Sequence, residues 1–181
     1  LSYQATHDAL TGLINRREFE HRLNEALHAA RAEPTLRHVV MFLDLDQFKV
    51  VNDTCGHQAG DRLLKQITSV LQTRVRTSDT LARLGGDEFG VLLHNCRLED
   101  AQQIAANLLR TVDEFEFVWG TNKFTLGVSI GLVAIDSHFK RLTQVMNAAD
   151  SACYSAKDSG RHRVAVYKED ALLLERRHGE M

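Results

Sequence analysis

The segment ARLGGDEFGVLL, residues 82–93, constrains the fold more than any other stretch of this chain. Apolar residues flank its centre on both sides, as in two β-strands that run into a hydrophobic core. The centre itself holds Gly85 and Gly86, followed by the adjacent carboxylates Asp87 and Glu88. Glycines inside an apolar strand favour a bend or a close approach of a ligand to the backbone. The segment therefore predicts two strands joined by a tight turn that presents two acids.

A second pair of acids ends another apolar run. Residues 38–46, HVVMFLDLD, suit a central strand and finish with Asp44 and Asp46. If this strand is a sheet neighbour of the hairpin, Asp44 and Asp87 converge at one end of the sheet. Neighbouring carboxylates repel each other unless a cation lies beside them, and Mg²⁺ takes a few carboxylate oxygens while it leaves positions for phosphate oxygens. The pattern predicts a divalent-metal site that faces a nucleotide; a solvated acidic turn is the alternative.

Helical and strand periods alternate along the rest of the chain. The helical stretches are residues 14–32, 60–75, 100–112, 142–157 and 169–177, and the strand-like stretches are residues 38–46, 80–94, 123–135 and 163–167. Asn15 and Glu18 resemble a capping box at the first helix, and Gly160 suits the position just after the end of the fourth. The alternation predicts one α+β domain with helices packed on a sheet.

Composition excludes several classes of protein. The 181 residues are 44% apolar and 25% charged, which is typical of a globular domain rather than a disordered chain. A net charge of −2 gives no reason to expect binding to nucleic acid or to anionic membranes. Three widely spaced cysteines fit a reducing, cytoplasmic setting rather than a disulfide framework. The start at Leu1 and the charged end LERRHGEM suggest a piece of a longer protein, which itself could be membrane-anchored through other segments.

Five segments, in the same order along the chain, resemble the GGDEF family of diguanylate cyclases. They are DALTGLINRREF (8–19), DLDQFKVVNDTCGHQAGD (44–61), RLGGDEF (83–89), VSIGLVAI (128–135) and ADSACYSAKDSGRHRV (149–164). The resemblance implies a central, mainly antiparallel five-stranded sheet flanked by helices, similar to class III nucleotide cyclases and polymerase palms. It also implies an enzyme that condenses two molecules of GTP into cyclic di-GMP and pyrophosphate.

The resemblance implies a division of the chain as well. Residues 1–6 would be a connector from an upstream sensory module, and residues 7–168 would be the GGDEF domain. Residues 169–181 resemble the linker that leads to an EAL phosphodiesterase domain in two-domain members of the family. Two other functions therefore stay open: a GTP-binding domain that regulates an adjacent phosphodiesterase, and a receptor that binds cyclic di-GMP without making it.

Carried over by position, the family's metal site falls on the two acidic segments. Asp44, Asp87 and Glu88, with the carbonyl of Leu45, would hold Mg²⁺ or Mn²⁺. Asp87 and Glu88 would also be catalytic, and Glu88 would either bind metal or activate the ribose 3′-hydroxyl. Asp46 is expected to be structural.

Base recognition in the family maps to Asn52 and Asp61, which would read the edge of guanine. A carboxylate accepts hydrogen bonds from the guanine N1–H and amine, donors that adenine lacks. Because Asp61 directly precedes an apolar helical stretch, a helix N-cap is the alternative for that residue. His57, Gly85 and Gly86 lie inside the same motifs and are further substrate-binding candidates.

The triphosphate would meet positive charge and backbone amides. The family's phosphate pair maps to Lys157 and Arg161, and the backbone N–H groups of Gln47 and Phe48 would assist, with charge from Lys49. A general preference for cations at a helix C-terminus is the alternative for the first two.

One residue departs from the family's pattern, and one further ion pair is expected. His162 stands where the family usually has Asn. At the start of the domain, a turn at residues 11–12 is expected to bring Asp8 next to Arg16.

The last candidate is a product-binding site. Arg76 and Asp79 form an R-x-x-D with five residues between Asp79 and Gly85, the family's spacing for inhibition by cyclic di-GMP. Arg can bind phosphate or guanine O6/N7, and Asp can accept from guanine donors. An ordinary exposed Arg–Asp pair is the alternative. Since the product joins two nucleotides and each domain offers one site, the chain is expected to act as a homodimer.

Overall fold

A five-stranded sheet lies at the centre of the structure, a computed structural model that describes residues 2–168. The strands are β1 (His38–Asp46), β2 (Thr80–Gly85), β3 (Glu88–Leu93), β4 (Glu116–Trp119), β5 (Asn122–Thr125), β6 (Gly127–Ile135) and β7 (Arg163–Val166). The helices are α1 (Tyr3–Thr6), α2 (Arg16–Ala32), α3 (Phe48–Cys55), α4 (His57–Gln72), α5 (Leu98–Glu114) and α6 (Leu142–Asp158). The predicted helix at 169–177 and the linker that contains it lie outside the described residues.

Strand β1 occupies the middle of the sheet because both of its faces are apolar. The strand order is β2-β3-β1-β6-β7, and β1 pairs antiparallel with both β3 and β6. Strand β2 is antiparallel to β3, whereas β7 runs parallel to β6 at the edge. The predicted α+β fold with a mainly antiparallel five-stranded sheet is confirmed.

Helices cover both faces of this sheet. Met41 of β1 faces a core formed with α4 and α5, while Val40 and Phe42 face a second core formed with α2 and α6. Each fully buried side chain of this size contributes about 1.5–3 kcal/mol. Helix α6 lies very close to β6, and the absence of a side chain at Gly131 permits this packing. A Cβ atom at Gly131 would be only 2.3 Å from the backbone N of Cys153. The close packing fixes the C-terminal end of α6 over the end of β1.

Within residues 2–168, the helices that periodicity predicts are present. The buried face of α2 has helical spacing and is formed by Phe19, Leu23, Ala26, Leu27 and Ala30. Asn15 Oδ1 accepts a hydrogen bond from the backbone N–H of Glu18 at 3.0 Å. The Glu18 carboxylate instead accepts from Arg22 at 2.9 Å, so only half of the expected capping box forms. Gly160 follows α6 with φ 126°, as its predicted position requires.

Two elements differ from the sequence-based expectation. Helix α3 is absent from the predicted helices; it buries only Val51, and its N-cap residue Gln47 makes no side-chain capping hydrogen bond. The strand-like stretch 123–135 is divided at Leu126: β5 pairs with β4 in a separate two-stranded sheet, and only β6 joins the main sheet. Among residues 2–168, no helix is long and apolar enough to span a membrane.

Candidate active site

Three acids converge at one end of the sheet. Because β1 and β3 are antiparallel, the last residues of β1 meet the first residues of β3, and Asp44 lies opposite Glu88 in the register. The turn between β2 and β3 carries Asp87, whose backbone O accepts a hydrogen bond from the N–H of Leu45 at 3.2 Å. The structure therefore brings the predicted metal-site residues together.

The hairpin turn that presents Asp87 is held by an arginine. Gly85 and Gly86 have φ 147° and 48°, conformations that suit glycine. Arg83 donates through Nε and Nη2 to the carbonyl of Gly86 at 3.1 and 2.8 Å. Its Nη1 lies 3.2 Å from Oδ1 of Asp8. Arg83 thus ties the turn to the N-terminal segment.

This contact corrects one expectation. Asp8 was expected to pair with Arg16, but Arg16 pairs with Glu20 along α2 at 3.0 Å. Asp8 accepts instead from the backbone N–H and hydroxyl of Thr11 at 2.9 and 2.7 Å, as well as from Arg83. Burial raises the pKa of Asp8, but these hydrogen bonds and the Arg83 charge outweigh burial and lower the pKa overall. Sequence reasoning missed Arg83 although it opens the RLGGDEF segment.

The site carries excess negative charge. Burial, followed by the charge of Asp44, raises the pKa of Asp87. Burial, followed by the charges of Asp150 and Asp44, raises the pKa of Glu88. Oε1 of Glu88 is buried without a hydrogen-bond partner. A buried carboxylate oxygen without a donor is costly, so this edge of the sheet favours a bound cation.

Lys157 supplies part of that positive charge. Its ammonium group, in the last turn of α6, contacts Oδ2 of Asp44. Burial lowers the pKa of Lys157, but the hydrogen bond and charge of Asp44 more than compensate, and the pKa is raised. Within residues 2–168, the neighbouring acids are not yet arranged closely enough for three of them to hold one metal ion. The oxygen donors nevertheless fit a hard divalent cation, which would bind at Asp44, Leu45, Asp87 and Glu88.

Asp46 is engaged in a different way. Its carboxylate is buried and accepts from the hydroxyl of Ser129 at 3.0 Å and from the backbone N–H of His162 at 2.9 Å. Nη1 of Arg161 lies 3.4 Å away. With its oxygens occupied by protein donors, Asp46 braces the structure, in agreement with the expected structural role.

The two guanine-reading candidates lie on neighbouring helices. Oδ1 of Asn52, on α3, is buried without a hydrogen-bond partner. It packs on Gly60 of α4, where a Cβ atom would lie 1.8 Å from that oxygen. Asp61 follows directly and is exposed. Helix α4 begins at His57 after Gly56, so Asp61 is inside the helix and the N-cap alternative is wrong.

The phosphate candidates lie on two sides of the acids. Gln47 has φ 77° and begins α3, whose first backbone N–H groups, including that of Phe48, have no carbonyl partner within the helix. Lys49 and His57 are exposed. Opposite them, Lys157 and Arg161 contact the acids of β1.

Arg76 and Asp79 lie at the opposite end of the sheet. Arg76 Nε donates to Asp79 Oδ2 at 2.6 Å, and Asp79 Oδ1 accepts from the backbone N–H of His94 at 3.0 Å. The side chain of Asp79 is fully buried, whereas that of Arg76 is half exposed. Both line a hollow of about 350 Å³. In this conformation Asp79 links Arg76 to the backbone of His94, at the end of the sheet where β2 begins and β3 ends. Arg76 is the residue of the pair that a ligand can reach.

Comparison with known proteins assigns the family. The domain has a palm-like α+β fold, and residues 5–163 match the model of the family described as "Diguanylate cyclase, GGDEF domain". The chain therefore belongs to the GGDEF family.

Relatives of this chain include proteins with different activities. It is 46% identical over 168 residues to the probable diguanylate cyclase DgcE of Escherichia coli. The aligned region covers 93% of this chain and 15% of DgcE. It is 33% identical over 170 residues to the cyclic di-GMP phosphodiesterase PdeB of Shewanella oneidensis. The aligned region covers 93% of this chain and 19% of PdeB. The chain thus spans a small part of these relatives.

A solved structure shows the same architecture. The GGDEF domain of DgcB from Caulobacter crescentus, crystallised in complex with c-di-GMP, superposes with a TM-score of 0.86 at 28% identity, over 93% of this chain and 99% of that chain.

Proposed function

We propose that this domain is a diguanylate cyclase that condenses two GTP into cyclic di-GMP and two pyrophosphates. The observation that carries the proposal is the meeting of Asp44, Asp87 and Glu88 at one sheet edge, with the pKa values of Asp87 and Glu88 raised. Perturbed carboxylates that converge with a lysine and free helix amides are typical of phosphoryl-transfer sites.

Each group has a role in nucleotidyl transfer. Asp44, Asp87 and Glu88 would hold a divalent cation, Mg²⁺ or Mn²⁺, which stabilises charge on the attacking and leaving oxygens when it is bound. Glu88, with its buried unpaired Oε1, is also placed to take the proton of the ribose 3′-hydroxyl. The amides that begin α3 bind the triphosphate, because the N-terminus of a helix favours anions.

Lys157 changes partner in this proposal. Without nucleotide it neutralises Asp44. With a divalent cation held by that carboxylate, the ammonium group of Lys157 would be free to bind the phosphates, together with Arg161. This exchange would leave a positive group beside Asp44 both with and without nucleotide.

Dimerisation follows from the product. Each α-phosphate must meet the 3′-hydroxyl of the other nucleotide, so two domains face each other with two-fold symmetry. We expect activity per chain to rise between about 10 nM and 10 µM protein, because association is driven by mass action. Initial rates of cyclic di-GMP formation across this range test the expectation. Constant activity per chain, with no dimer in sedimentation, would contradict it.

Product binding at Arg76 regulates the enzyme in the proposal. The half-exposed guanidinium lines the 350 Å³ hollow and can turn from Asp79 to a phosphate or guanine edge of cyclic di-GMP. The site lies across the sheet from the acids, so product acts there by holding the domains apart.

Arg76→Ala is expected to weaken cyclic di-GMP binding at least about tenfold, to let product accumulate further and to leave the initial rate unchanged. It also leaves the buried Asp79 carboxylate short of a donor, so we expect a loss of about 1–3 kcal/mol in unfolding free energy. Titration of product into the protein checks the binding. Arg74→Ala, which removes an exposed arginine from the same turn, is the control. Unchanged product binding in Arg76→Ala would show that the site is elsewhere.

A second function is favoured by one observation, the relation to the phosphodiesterase PdeB. In that case residues 7–168 bind GTP and regulate an EAL domain that follows the linker 169–181, while residues 1–6 connect to an upstream sensory module. Incubation with GTP and Mg²⁺, followed by chromatography of the nucleotides, separates the functions. Cyclic di-GMP supports the cyclase, bound and unchanged GTP supports the regulatory domain, and binding of cyclic di-GMP alone supports a receptor.

A further inference from the structure

Two consecutive residues after α6 have an unusual backbone conformation. Arg161 and His162 have φ 61° and 45°, in the left-handed region that costs free energy for residues other than glycine. Such a conformation persists only where surrounding contacts hold it. Since Arg161 is a phosphate ligand in the proposed function, the contacts that hold this turn determine where its guanidinium lies.

The imidazole of His162 supplies two of these contacts. Its Nδ1 accepts a hydrogen bond from the backbone N–H of Val128 on β6 at 3.2 Å. Its Nε2 lies 3.3 Å from Oδ1 of Asp113 on α5. Because Nδ1 accepts the proton of the Val128 amide, Nε2 is the ring nitrogen that carries a proton, and it faces Asp113. The side chain therefore joins the turn to two separate elements of the core.

Backbone contacts complete the arrangement. The N–H of His162 donates to Oδ2 of Asp46 at 2.9 Å, and the N–H of Arg161 donates to the carbonyl of Ala156 at 3.0 Å. The ring of His162 lies directly against Gly127, where a Cβ atom would be 2.9 Å from Nδ1. The space left by this glycine is thus matched to the imidazole.

We propose that His162 is a positioning residue for triphosphate binding: by accepting from the Val128 amide, it holds the left-handed turn that places Arg161 at the phosphates. The inference rests on the proposed function, in which Arg161 binds GTP. The inference requires that loss of the acceptor at Nδ1 weakens phosphate binding more than loss of the donor at Nε2. The two can be separated because Asn places its carbonyl oxygen near the Nδ1 position, whereas Gln reaches towards the Nε2 position.

The test compares binding of 3′-deoxy-GTP, which cannot be condensed, with binding of guanosine, which has no phosphate. His162→Gln is expected to weaken 3′-deoxy-GTP binding about tenfold and to leave guanosine binding unchanged. His162→Asn, which retains the acceptor and suits the left-handed region, is expected to stay within about twofold of the parent chain for both ligands. His21→Gln, an exposed histidine on α2, is the control. A purely structural defect would weaken both ligands together.

Arg161→Ala separates failure of this inference from failure of the proposed function. If Arg161→Ala weakens 3′-deoxy-GTP binding but His162→Gln does not, the positioning role is wrong and the phosphate contact stands. If Arg161→Ala has no effect, the phosphate contact is wrong and the positioning role falls with it. Nitrogen NMR of the imidazole gives an independent reading: an unprotonated Nδ1 in the folded domain supports the inference, and a protonated Nδ1 overturns it.

Discussion

Asp87→Asn is expected to abolish cyclic di-GMP synthesis and, at neutral pH without divalent cations, to make the domain more stable. The substitution removes a charged oxygen donor from the edge where Asp44, Asp87 and Glu88 meet. Charge stabilisation of this kind is worth several kcal/mol in the transition state, which corresponds to a loss of about 10³-fold or more in turnover. Rates of product formation at saturating GTP measure the effect.

The stability gain follows from the raised pKa of Asp87. A carboxyl whose pKa is higher in the folded state binds more protons when folded, so stability is present at low pH and is lost as the pH rises through the window from its ordinary pKa to its folded pKa. Above that window the ionised Asp87 destabilises the domain, whereas Asn carries no charge. In thermal unfolding from pH 3 to 8, the stability of Asp87→Asn relative to the parent chain should increase as the pH rises through this window.

Glu116→Gln, which neutralises an exposed acid on β4, is the control for both measurements. Its activity and unfolding temperature are expected to match those of the parent chain. Normal product formation by Asp87→Asn would remove Asp87 from the catalytic site. A lower unfolding temperature than that of the parent at pH 7 would contradict the electrostatic account.

We also expect a strong preference of this domain for GTP over ATP. Sites that hydrogen-bond a specific substrate group can reject an analogue without it by about 10⁴-fold, because their buried polar atoms then stay unpaired. Oδ1 of Asn52 is buried and without a partner, and Asp61 lies one residue beyond Gly60, on which Asn52 packs. We expect kcat/KM for GTP to exceed that for ATP by a factor that approaches this value.

Asp61→Asn should weaken GTP use strongly and ATP use little, since guanine offers N1–H and 2-amino donors to the carboxylate, whereas adenine has an acceptor at N1 and no 2-amino group. Asp53→Asn, which neutralises an exposed acid on α3, serves as the matched control and should keep the preference. Equal use of GTP and ATP by the parent chain would exclude guanine recognition at this site.

Much of the architecture could be predicted from the sequence because its signals are local. The apolar run of β1 and the glycine turn between β2 and β3 each specify an element within about ten residues. Once β1 and β3 are neighbours, antiparallel pairing places Asp44 opposite Glu88. Helix α3 was missed because it has neither a capping side chain nor an extended apolar face.

Contacts between distant residues could not be predicted in the same way. Local spacing favoured Arg16 as the partner of Asp8, but the edge strand β2 brings Arg83 to it from 75 residues away. Likewise, nothing in the local sequence shows that Lys157 contacts Asp44, because this contact depends on how closely α6 approaches β6 at Gly131. The left-handed backbone conformation of Arg161 and His162 depends on contacts with Asp46 of β1 and Val128 of β6, which are distant in the sequence.

Product stoichiometry, measured on two domains that are held together as a dimer, decides whether this domain is a diguanylate cyclase. A parallel coiled coil fused before Leu1 would hold two domains together, and the fusion would be incubated with radiolabelled GTP and Mg²⁺, with a parallel sample in EDTA. We expect one cyclic di-GMP and two pyrophosphates for each two GTP consumed, and neither product in EDTA. A confirmed dimer that binds GTP and returns it unchanged would contradict the account.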